Sequence, residues 1–515
     1  MTTPSGPTGS AVARDPKRWW ALAAMCLAIF LVAVDGTVLS LATPSIVRDL
    51  QPTATQVLWI GDIYSFVLAG LLITMGNLGD RWGRKRMLLV GGTMFALISI
   101  PAAYAQNAET LIVMRALLGV AGATLMPSTL ALMRSTFTDD KERSFAIGVW
   151  SAMGAAGAAA GPLFGGVLLQ HFWWGSVFLV NVPIMALVLI IGLPTLRESW
   201  DPNPGPLDAV SVVLSMVGIL GLVYAIKESA VHGIEPGYLV AGVVGASALA
   251  WFIQRQRTLE HPLVDVRLFS NGAFTGAVLG MLLSVFGLAG ALFFFSQYLQ
   301  FILKLEPLQA GLFELPATLA ALVAALTAGG IMRRFGRGPI TSLGLIAIGA
   351  GMAGVALLLD NPSFVFFVIP LILIGAGDGV ALTIASDTVL AVAPKDRAGA
   401  ASAVSETGYE LGTALGIAML GSILTAVYQA TLALPPGVSP DVAQAANESP
   451  GEAFEAVTAL PPDLSEQVIA VVETSFTHAL SVTTLVGAAV LLVGAFATWW
   501  LMPGKNDAVN ELSAH

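Results

Sequence analysis

The chain has 515 residues, of which 56% are hydrophobic and 11% are charged, and its mean hydropathy is +0.80. Soluble domains carry roughly 25% charged residues, so a water-soluble fold could not hide this much apolar surface. The single cysteine, Cys26, excludes an intrachain disulfide and a cysteine-based metal site. The composition therefore predicts a membrane protein with many spans of about 20 apolar residues.

The chain begins with a polar tail that is rich in Gly, Pro, Ser and Thr, and we expect this tail to be disordered. The first apolar run is too long for a signal peptide, so we interpret it as a retained helix. Hydropathy predicts fourteen apolar segments, and each should be a helix because lipid cannot satisfy backbone groups. The predicted spans are 19–44, 57–79, 87–105, 110–134, 144–168, 175–195, 208–227, 237–254, 273–300, 308–331, 338–359, 363–393, 398–430 and 477–502.

The basic residues predict the orientation of these spans. With the N-terminus inside, 20 of the 24 Lys and Arg residues fall in inside segments. The outside segments hold only Arg48, Lys227 and Lys304, and Arg115 falls within a span. This asymmetry predicts that both termini are cytoplasmic, and an odd number of spans would break it.

Two pairs of segments resemble each other at an offset of about 253–256 residues. Residues 79–92 resemble 332–345, and residues 119–148 resemble 375–404. Because the orientation is preserved, we predict a parallel repeat around an axis along the membrane normal. Spans 1–6 then pair with spans 9–14, spans 7 and 8 are an insertion, and the two bundles enclose a cavity suited to alternating access.

The repeat divides the chain into regions. They are a disordered cytoplasmic tail (1–18), an N-terminal six-helix bundle (19–195), a two-helix insertion with linkers (196–272), a C-terminal six-helix bundle (273–502) and a cytoplasmic tail (503–515). The outside loop 431–476 has seven acids and no Lys or Arg, and we expect a small helical hairpin there. It is either a solvated spacer or an acidic funnel for cations.

The loop between spans 2 and 3 reads GNLGDRWGRKRML (76–88). It resembles the signature loop of the major facilitator superfamily, with its Gly-x-Leu-x-Asp-Arg-x-Gly-Arg-Lys pattern. Glycines permit a tight turn, and Asp80 can sit near a helix N-terminus or an arginine. A merely basic loop would explain the bases but not their spacing. The resemblance implies a conformational or coupling role for Asp80, Arg81 and Arg84.

Two further segments fit the same family. LIVMRALLGVAG (111–122) resembles its helix 4 pattern, in which the arginine, here Arg115, is tied to coupling. GAAGAAAGPLFGG (154–166) contains Gly161 and Pro162 and resembles the helix 5 pattern of its antiporters. We expect these small residues to let helices 2 and 5 approach closely.

Fourteen spans with these motifs resemble the drug:proton antiporter branch of quaternary-ammonium and multidrug exporters, and VDGTVLSLATPSI (34–46) is similar to its first helix. The resemblance covers nearly the whole chain. It implies an all-α membrane fold of two six-helix bundles plus two inserted helices. It also implies a transporter rather than an enzyme, located in the cell membrane, without a cofactor and driven by the proton motive force. The implied partners are lipophilic cations, protons and the bilayer, without nucleic acid, and the implied functional unit is a monomer.

Seven acids but only one clearly embedded base lie within the predicted spans. A charge in the bilayer is costly, so each is a functional candidate, and the excess of acids favours protons or cationic substrates. The seventh, Asp387, lies nearer the inside end, where a solvated helix terminus is the alternative. The other six are candidates for proton coupling or substrate binding: Asp35, Asp62, Glu314, Asp378, Glu406 and Glu410.

Glu406 and Glu410 are four residues apart and therefore share one helix face. Their segment, SETGYELG (405–412), resembles the thirteenth helix of cation exporters, and we expect the two carboxylates to titrate as a coupled unit. Trp59 and Tyr64 could offer aromatic faces to a cation. Tyr409 is a further aromatic candidate, although such a residue is more often used in packing.

The sequence thus predicts a proton-coupled antiporter that exports lipophilic, mainly cationic compounds by alternating access. A narrow exporter of one antibiotic or metabolite on the same scaffold is the alternative, and a non-transporting receptor or scaffold is a more distant one. The sequence has no G-x-x-x-x-G-K-[ST] loop for ATP-driven export and no H-E-x-x-H metalloprotease motif.

Overall fold

The computed structural model describes residues 16–52, 54–201, 208–232, 235–260, 262–359, 362–394, 398–448 and 450–502. Within these ranges the regular structure is helical, and thirteen helices are long and apolar enough to cross a membrane. Each lies at a predicted span. The remaining predicted position, the fifth, is occupied by a 32-residue helix.

The first bundle has seven helices because the sixth span is broken at Val180. They are α1 (Arg18–Leu50), α2 (Ala54–Trp82), α3 (Arg84–Ala103), α4 (Ala108–Thr136), α5 (Asp140–His171), α6 (Ser176–Leu179) and α7 (Asn181–Thr195). The insertion follows as α8 (Ala209–His232), α9 (Pro236–Thr258) and a short 3-10 helix (Val266–Ser270).

The second bundle repeats the arrangement of the first. It contains α10 (Gly272–Gln297, extended by a π turn to Ile302), α11 (Pro307–Phe335), α12 (Arg337–Leu358), α13 (Phe364–Val392), α14 (Ala398–Thr431) and α17 (Pro462–Leu501). The expected hairpin is α15 (Pro440–Glu448) and α16 (Pro450–Ala456), with a 3-10 turn (Val457–Ala459). The last helix begins at Pro462 rather than near residue 477, because the acidic segment before 477 continues the same helix.

The prediction that helices 2 and 5 approach closely is wrong, because α5 packs along α1. A Cβ on Gly157 would lie 2.5 Å from the carbonyl oxygen of Phe30, and a Cβ on Gly161 would overlap the side chain of Thr37. Thr37 Oγ1 donates to the Ala158 carbonyl across this contact at 3.2 Å. The small residues of α5 therefore serve packing inside the first bundle. Pro162 lies within α5, but its side chain is outside the described part.

The insertion lies on the outside of the molecule where the two bundles meet. Helix α8 packs against α9 on one side and against both α2 and α14 on the other. Its Tyr224 ring stacks on Trp59 of α2 at 6.4 Å, and also contacts Phe66 at 6.1 Å. The insertion is thus in contact with one helix from each bundle.

The bundles touch each other at the end of the molecule that carries the α2–α3, α4–α5 and α11–α12 loops. We call this the basic end because those loops are rich in Arg and Lys. Two groups of contacts join the bundles there: α2 and α4 with α14, called the first seam, and α5 with α11 and α13, called the second seam. Leu390 and Ala398 of the second bundle are buried in the hydrophobic core of the first, which makes this closure continuous.

Candidate functional site

A buried ion pair lies at the centre of the first bundle. Arg115 on α4 donates through Nη1 to Asp35 Oδ2 on α1 at 2.9 Å, and the two side chains are 2% and 0% exposed. The guanidinium also donates to the carbonyls of Ile60 at 3.2 Å and Gly61 at 3.4 Å on α2. A buried pair is tolerable only when its remaining hydrogen-bonding groups are also satisfied, and these bonds satisfy much of that requirement.

Asn181 completes this cluster, and sequence reasoning did not identify it. Its Nδ2 donates to Asp35 Oδ1 at 2.9 Å and to Ser99 Oγ at 3.1 Å, and the residue is fully buried. It stands at the start of α7, directly after the break at Val180. The sequence does place a polar residue at a break in an apolar span, and this could have indicated Asn181. Because its amide is neutral, a search for charged residues within the spans does not find it.

Tyr64 of α2 packs against this cluster. The Arg115 guanidinium carbon lies 4.6 Å from the centre of its ring, a distance typical of a cation–π contact. Tyr64 also lies within electrostatic range of Glu410 on α14. One acid of the second bundle, Glu410, is therefore within electrostatic range of the first bundle's cluster.

The second bundle contributes a cluster of acids. Ser284 Oγ on α10 donates to Asp378 Oδ1 on α13 at 2.7 Å, and both residues are buried. Glu406 on α14 is 4% exposed, whereas Glu410, one turn later, is half-buried. Tyr409 lies close enough to Asp378, Glu406 and Glu410 to interact with all three. Three of the predicted acids are thus brought together by α13 and α14.

Three further predicted residues are Glu314, Asp62 and Trp59. Glu314 on α11 is half-buried near Ser296 of α10, and its Oε1 has no hydrogen-bond partner within the described chain. Asp62 is half-buried on α2, near the Gly61 carbonyl that Arg115 contacts. Trp59 is 38% exposed, and its ring packs against the insertion through Tyr224.

The signature loop forms the first seam. The Asp80 carboxylate accepts hydrogen bonds from the backbone N–H groups of Gly399 at 2.9 Å and Ala400 at 3.0 Å, which are the first turn of α14. Arg84 pairs with the same carboxylate at 2.7 Å, and both side chains are buried. An acid at a helix N-terminus satisfies backbone donors and complements the helix dipole. Arg81 donates to Asn77 on the same helix at 3.3 Å.

The second seam contains a buried triad. Asp387 on α13 accepts from Arg143 of α5 at 3.0 Å and from Arg337 of α12 at 3.2 Å, and its side chain is 1% exposed. The alternative of a solvated helix terminus for Asp387 is therefore wrong. Its partner Arg143 comes from the other bundle, 244 residues away, and no local pattern indicates such a contact.

Residues 25–417 match the family model described as the Major Facilitator Superfamily. The chain belongs to this superfamily. It is therefore a multi-pass membrane transporter and not an enzyme, and its two bundles with two inserted helices are a variant of the superfamily's fold.

Curated relatives match over most of the chain. The multidrug efflux pump LfrA of Mycolicibacterium smegmatis is 42% identical over 495 residues, which cover 96% of this chain and 98% of the relative. The methyl viologen resistance protein SmvA of Salmonella typhimurium is 36% identical, with 94% and 98% covered. The tetracenomycin C resistance and export protein of Streptomyces glaucescens is 32% identical, with 82% and 80% covered.

Solved structures resemble the fold at low sequence identity. The human organic anion transporter MFSD10 has a TM-score of 0.62 at 13% identity, with 94% of this chain and all of that chain covered. The proton:xylose symporter XylE has a TM-score of 0.61 at 12% identity, with 96% and 97% covered. At these identities the likeness shows the fold alone.

Proposed function

We propose that the protein is a proton-coupled antiporter that exports lipophilic, mainly cationic compounds across the cell membrane. The observation that carries this proposal is the uneven charge of the central region. Asp35 is neutralised by Arg115 at 2.9 Å. Among the described residues, no arginine or lysine pairs with Asp378 or Glu406. Buried carboxylates of this kind favour a proton or an organic cation as the neutralising partner.

The conformation supports an alternating-access cycle. With the basic end placed in the cytoplasm, both seams are closed, and the molecule represents a state shut toward the cytoplasm. In this state a proton entering the acids of the second bundle would lower their affinity for a cation and release it outside. When the seams open, deprotonated acids would bind the next cation. Coupling requires this difference in binding between the two states.

The relatives favour export as the direction of transport. LfrA and SmvA are named for multidrug efflux and methyl viologen resistance, and methyl viologen is a cation. The tetracenomycin C relative is named for a single compound. A narrow exporter of one compound on the same fold is therefore the second candidate function. A panel of cationic, neutral and anionic compounds would separate a broad cation exporter from a narrow one.

The first experiment measures ethidium efflux from cells expressing the protein, with and without a protonophore. Asp35→Asn should abolish or severely reduce efflux, because a neutral amide cannot balance Arg115. Glu109→Gln is the matched control, since Glu109 is an exposed acid in the first turn of α4. Protonophore-insensitive efflux would overturn proton coupling, and normal efflux by Asp35→Asn would remove the buried pair from the mechanism.

The second experiment tests the acids of α14 in proteoliposomes with an imposed pH gradient. Glu406→Gln combined with Glu410→Gln should eliminate the response of cation transport to the gradient. The control variant is Asp463→Asn with Glu466→Gln, which removes two exposed acids at the start of α17. Unchanged gradient-driven transport in the first double variant would place coupling elsewhere.

A further inference from the structure

The linker that leaves the insertion connects the two bundles at the first seam. We call residues 262–265, directly before the 3-10 helix that follows α9, the strap. The Leu263 carbonyl accepts a hydrogen bond from Asn77 Nδ2 at 2.9 Å, and Asn77 lies in the last turns of α2. The strap is thus bonded to the first bundle three residues before Asp80.

The apolar side chains of the same strap are buried in a cluster that both bundles and the insertion share. Leu263 and Val264 are 3% and 5% exposed, and they lie in a hydrophobic cluster with Phe274 and Ala277 of α10 and Ala401 of α14. The cluster also contains residues of α2 and α8. If α2 moves away from α14, this shared cluster must divide, and the strap cannot keep both its bond to Asn77 of α2 and its place beside the residues of α10 and α14. The strap therefore favours the closed first seam, because its contacts are complete only there.

A hydrogen-bond network fixes the strap to the insertion. Gln256 Oε1 on α9 accepts from the backbone N–H groups of Leu263 at 2.7 Å and Val264 at 3.4 Å. Gln256 Nε2 donates to Ser211 Oγ on α8 at 2.7 Å, and Ser211 Oγ donates to Asp208 at 2.6 Å. The position of the strap is therefore determined by the helices of the insertion rather than by a flexible loop.

The network ends at Asp208, which forms an ion pair with Arg255 of α9. Arg255 donates to both carboxylate oxygens of Asp208, at 2.6 and 3.0 Å. These bonds hold the pKa of Asp208 well below its usual range. A depressed carboxylate pKa contributes stability above the unfolded pKa of about 3.9, and that stability is lost only as the pH falls through the folded value. The network is therefore intact at neutral pH.

We infer that the insertion stabilises the cytoplasm-closed state through the strap, with Asn77 and Gln256 as the positioning residues. This assigns a role in the transport cycle to helices α8 and α9, which the proposed export mechanism does not use. Neither residue touches the central acids or the Asp35–Arg115 pair. The inference is independent of the identity of the substrate and of proton coupling, since it concerns only the balance between closed and open seams.

The test measures the distance between the bundles in the purified full chain in nanodiscs, without substrate or a pH gradient. Spin labels replace the exposed Thr138 of the α4–α5 loop and Arg334 of α11 in a Cys26→Ala background, because Cys26 is the only native thiol. Double electron–electron resonance then gives the closed and open populations. Asp80→Ala serves as the positive control, since it removes the bonds to Gly399 and Ala400.

Asn77→Ala removes the hydrogen bond between the strap and α2, and Gln256→Leu removes the hydrogen bonds between the strap and α9. Each should lower the closed-to-open ratio about three- to tenfold, the effect expected for one lost hydrogen bond to a buried backbone group. The matched control is Asn107→Ala, which removes an asparagine that caps α4 at the opposite end of the molecule. Wild-type distances in both strap variants, with Asp80→Ala opening the seam, would overturn the inference. An equal shift in Asn107→Ala would also overturn it, because the effect would not be specific to the strap.

Discussion

The two seams occupy equivalent places in the sequence repeat but close by different chemistry. Gly76 at the first seam and Gly329 at the second are 253 residues apart, the offset of the repeat, and both contact the opposite bundle. At the first seam the Asp80 carboxylate accepts hydrogen bonds from backbone N–H groups of α14, and the strap is hydrogen-bonded to α2 beside it. The second uses a side-chain triad of one acid and two arginines. The duplicated scaffold thus preserves close packing at both seams while the polar contacts have diverged.

The largest effect should come from the triad of the second seam. Asp387→Ala leaves Arg143 without its buried partner, and breaking a buried pair costs about 3–5 kcal/mol. Most of this cost should fall on the closed state, because the pair joins the two bundles. The Thr138–Arg334 spin-label distances should shift to the open population.

Asp140→Asn provides the control for this prediction. Asp140 pairs with the same Arg143 at 3.0 Å, but its side chain is 79% exposed. An exposed pair contributes about 0–1 kcal/mol, so this variant should remain closed. If Asp387→Ala also remains closed, the triad does not hold the second seam.

Backbone packing should give the next largest effect. A Cβ on Gly148 of α5 would overlap the carbonyl of Ala325 on α11, and backbone cannot move aside as a flexible side chain does. Overpacking of this kind costs about 1–3 kcal/mol, so Gly148→Ala should raise the open population. Gly166→Ala is the control on the same helix, because no heavy atom of the described chain beyond its own helical turn lies within 4 Å of its Cβ position. Equal distance distributions for the two variants would contradict close packing at this seam.

A smaller effect is expected from Asp80 at the first seam. Its pair with Arg84 lies within one bundle and can persist on opening, so only the cap on α14 distinguishes the two states. Loss of a helix cap costs about 0.5–2 kcal/mol, which predicts a partial opening in Asp80→Ala. Asp80→Asn retains one acceptor oxygen and should open less. A larger shift for Asp80→Ala than for Asp387→Ala would reverse the proposed ranking of the seams.

The smallest effect should come from an exposed ion pair at the edge of the first seam, which we call its rim. Arg86 pairs with Glu198 at 3.6 Å, and the arginine side chain is 76% exposed. Glu198 already accepts backbone bonds from Lys85 and Arg86, which do not need the guanidinium. Arg86→Gln should therefore leave the distances unchanged within error, consistent with the small contribution of exposed pairs. A measurable opening would show that charge at the rim contributes to closure.

Hydropathy and charge were sufficient to predict the spans and the charges embedded within them, because the bilayer penalises each exposed charge separately. Asp35 and Arg115 could therefore be named from the sequence. Their pairing could not, since it depends on the packing of α1, α2 and α4 over 80 residues of chain. The same limit applies to Asp387, whose main partner lies in the other bundle. The α5 contact was misassigned because a stripe of small residues indicates close packing but does not identify the partner helix.

The last helix, α17, is long for a membrane of ordinary thickness. Its 40 residues would extend about 60 Å at 1.5 Å per residue, roughly twice the hydrocarbon thickness of about 30 Å. Helix α16 packs on its projecting part, and Lys304 ties the base of that part to Glu473 at 3.1 Å. In electron cryomicroscopy, particle images of small transporters are hard to align, because the detergent belt around the protein has no distinct features. This rigid projection would serve as a natural fiducial for aligning particle images and for following the rotation of the second bundle.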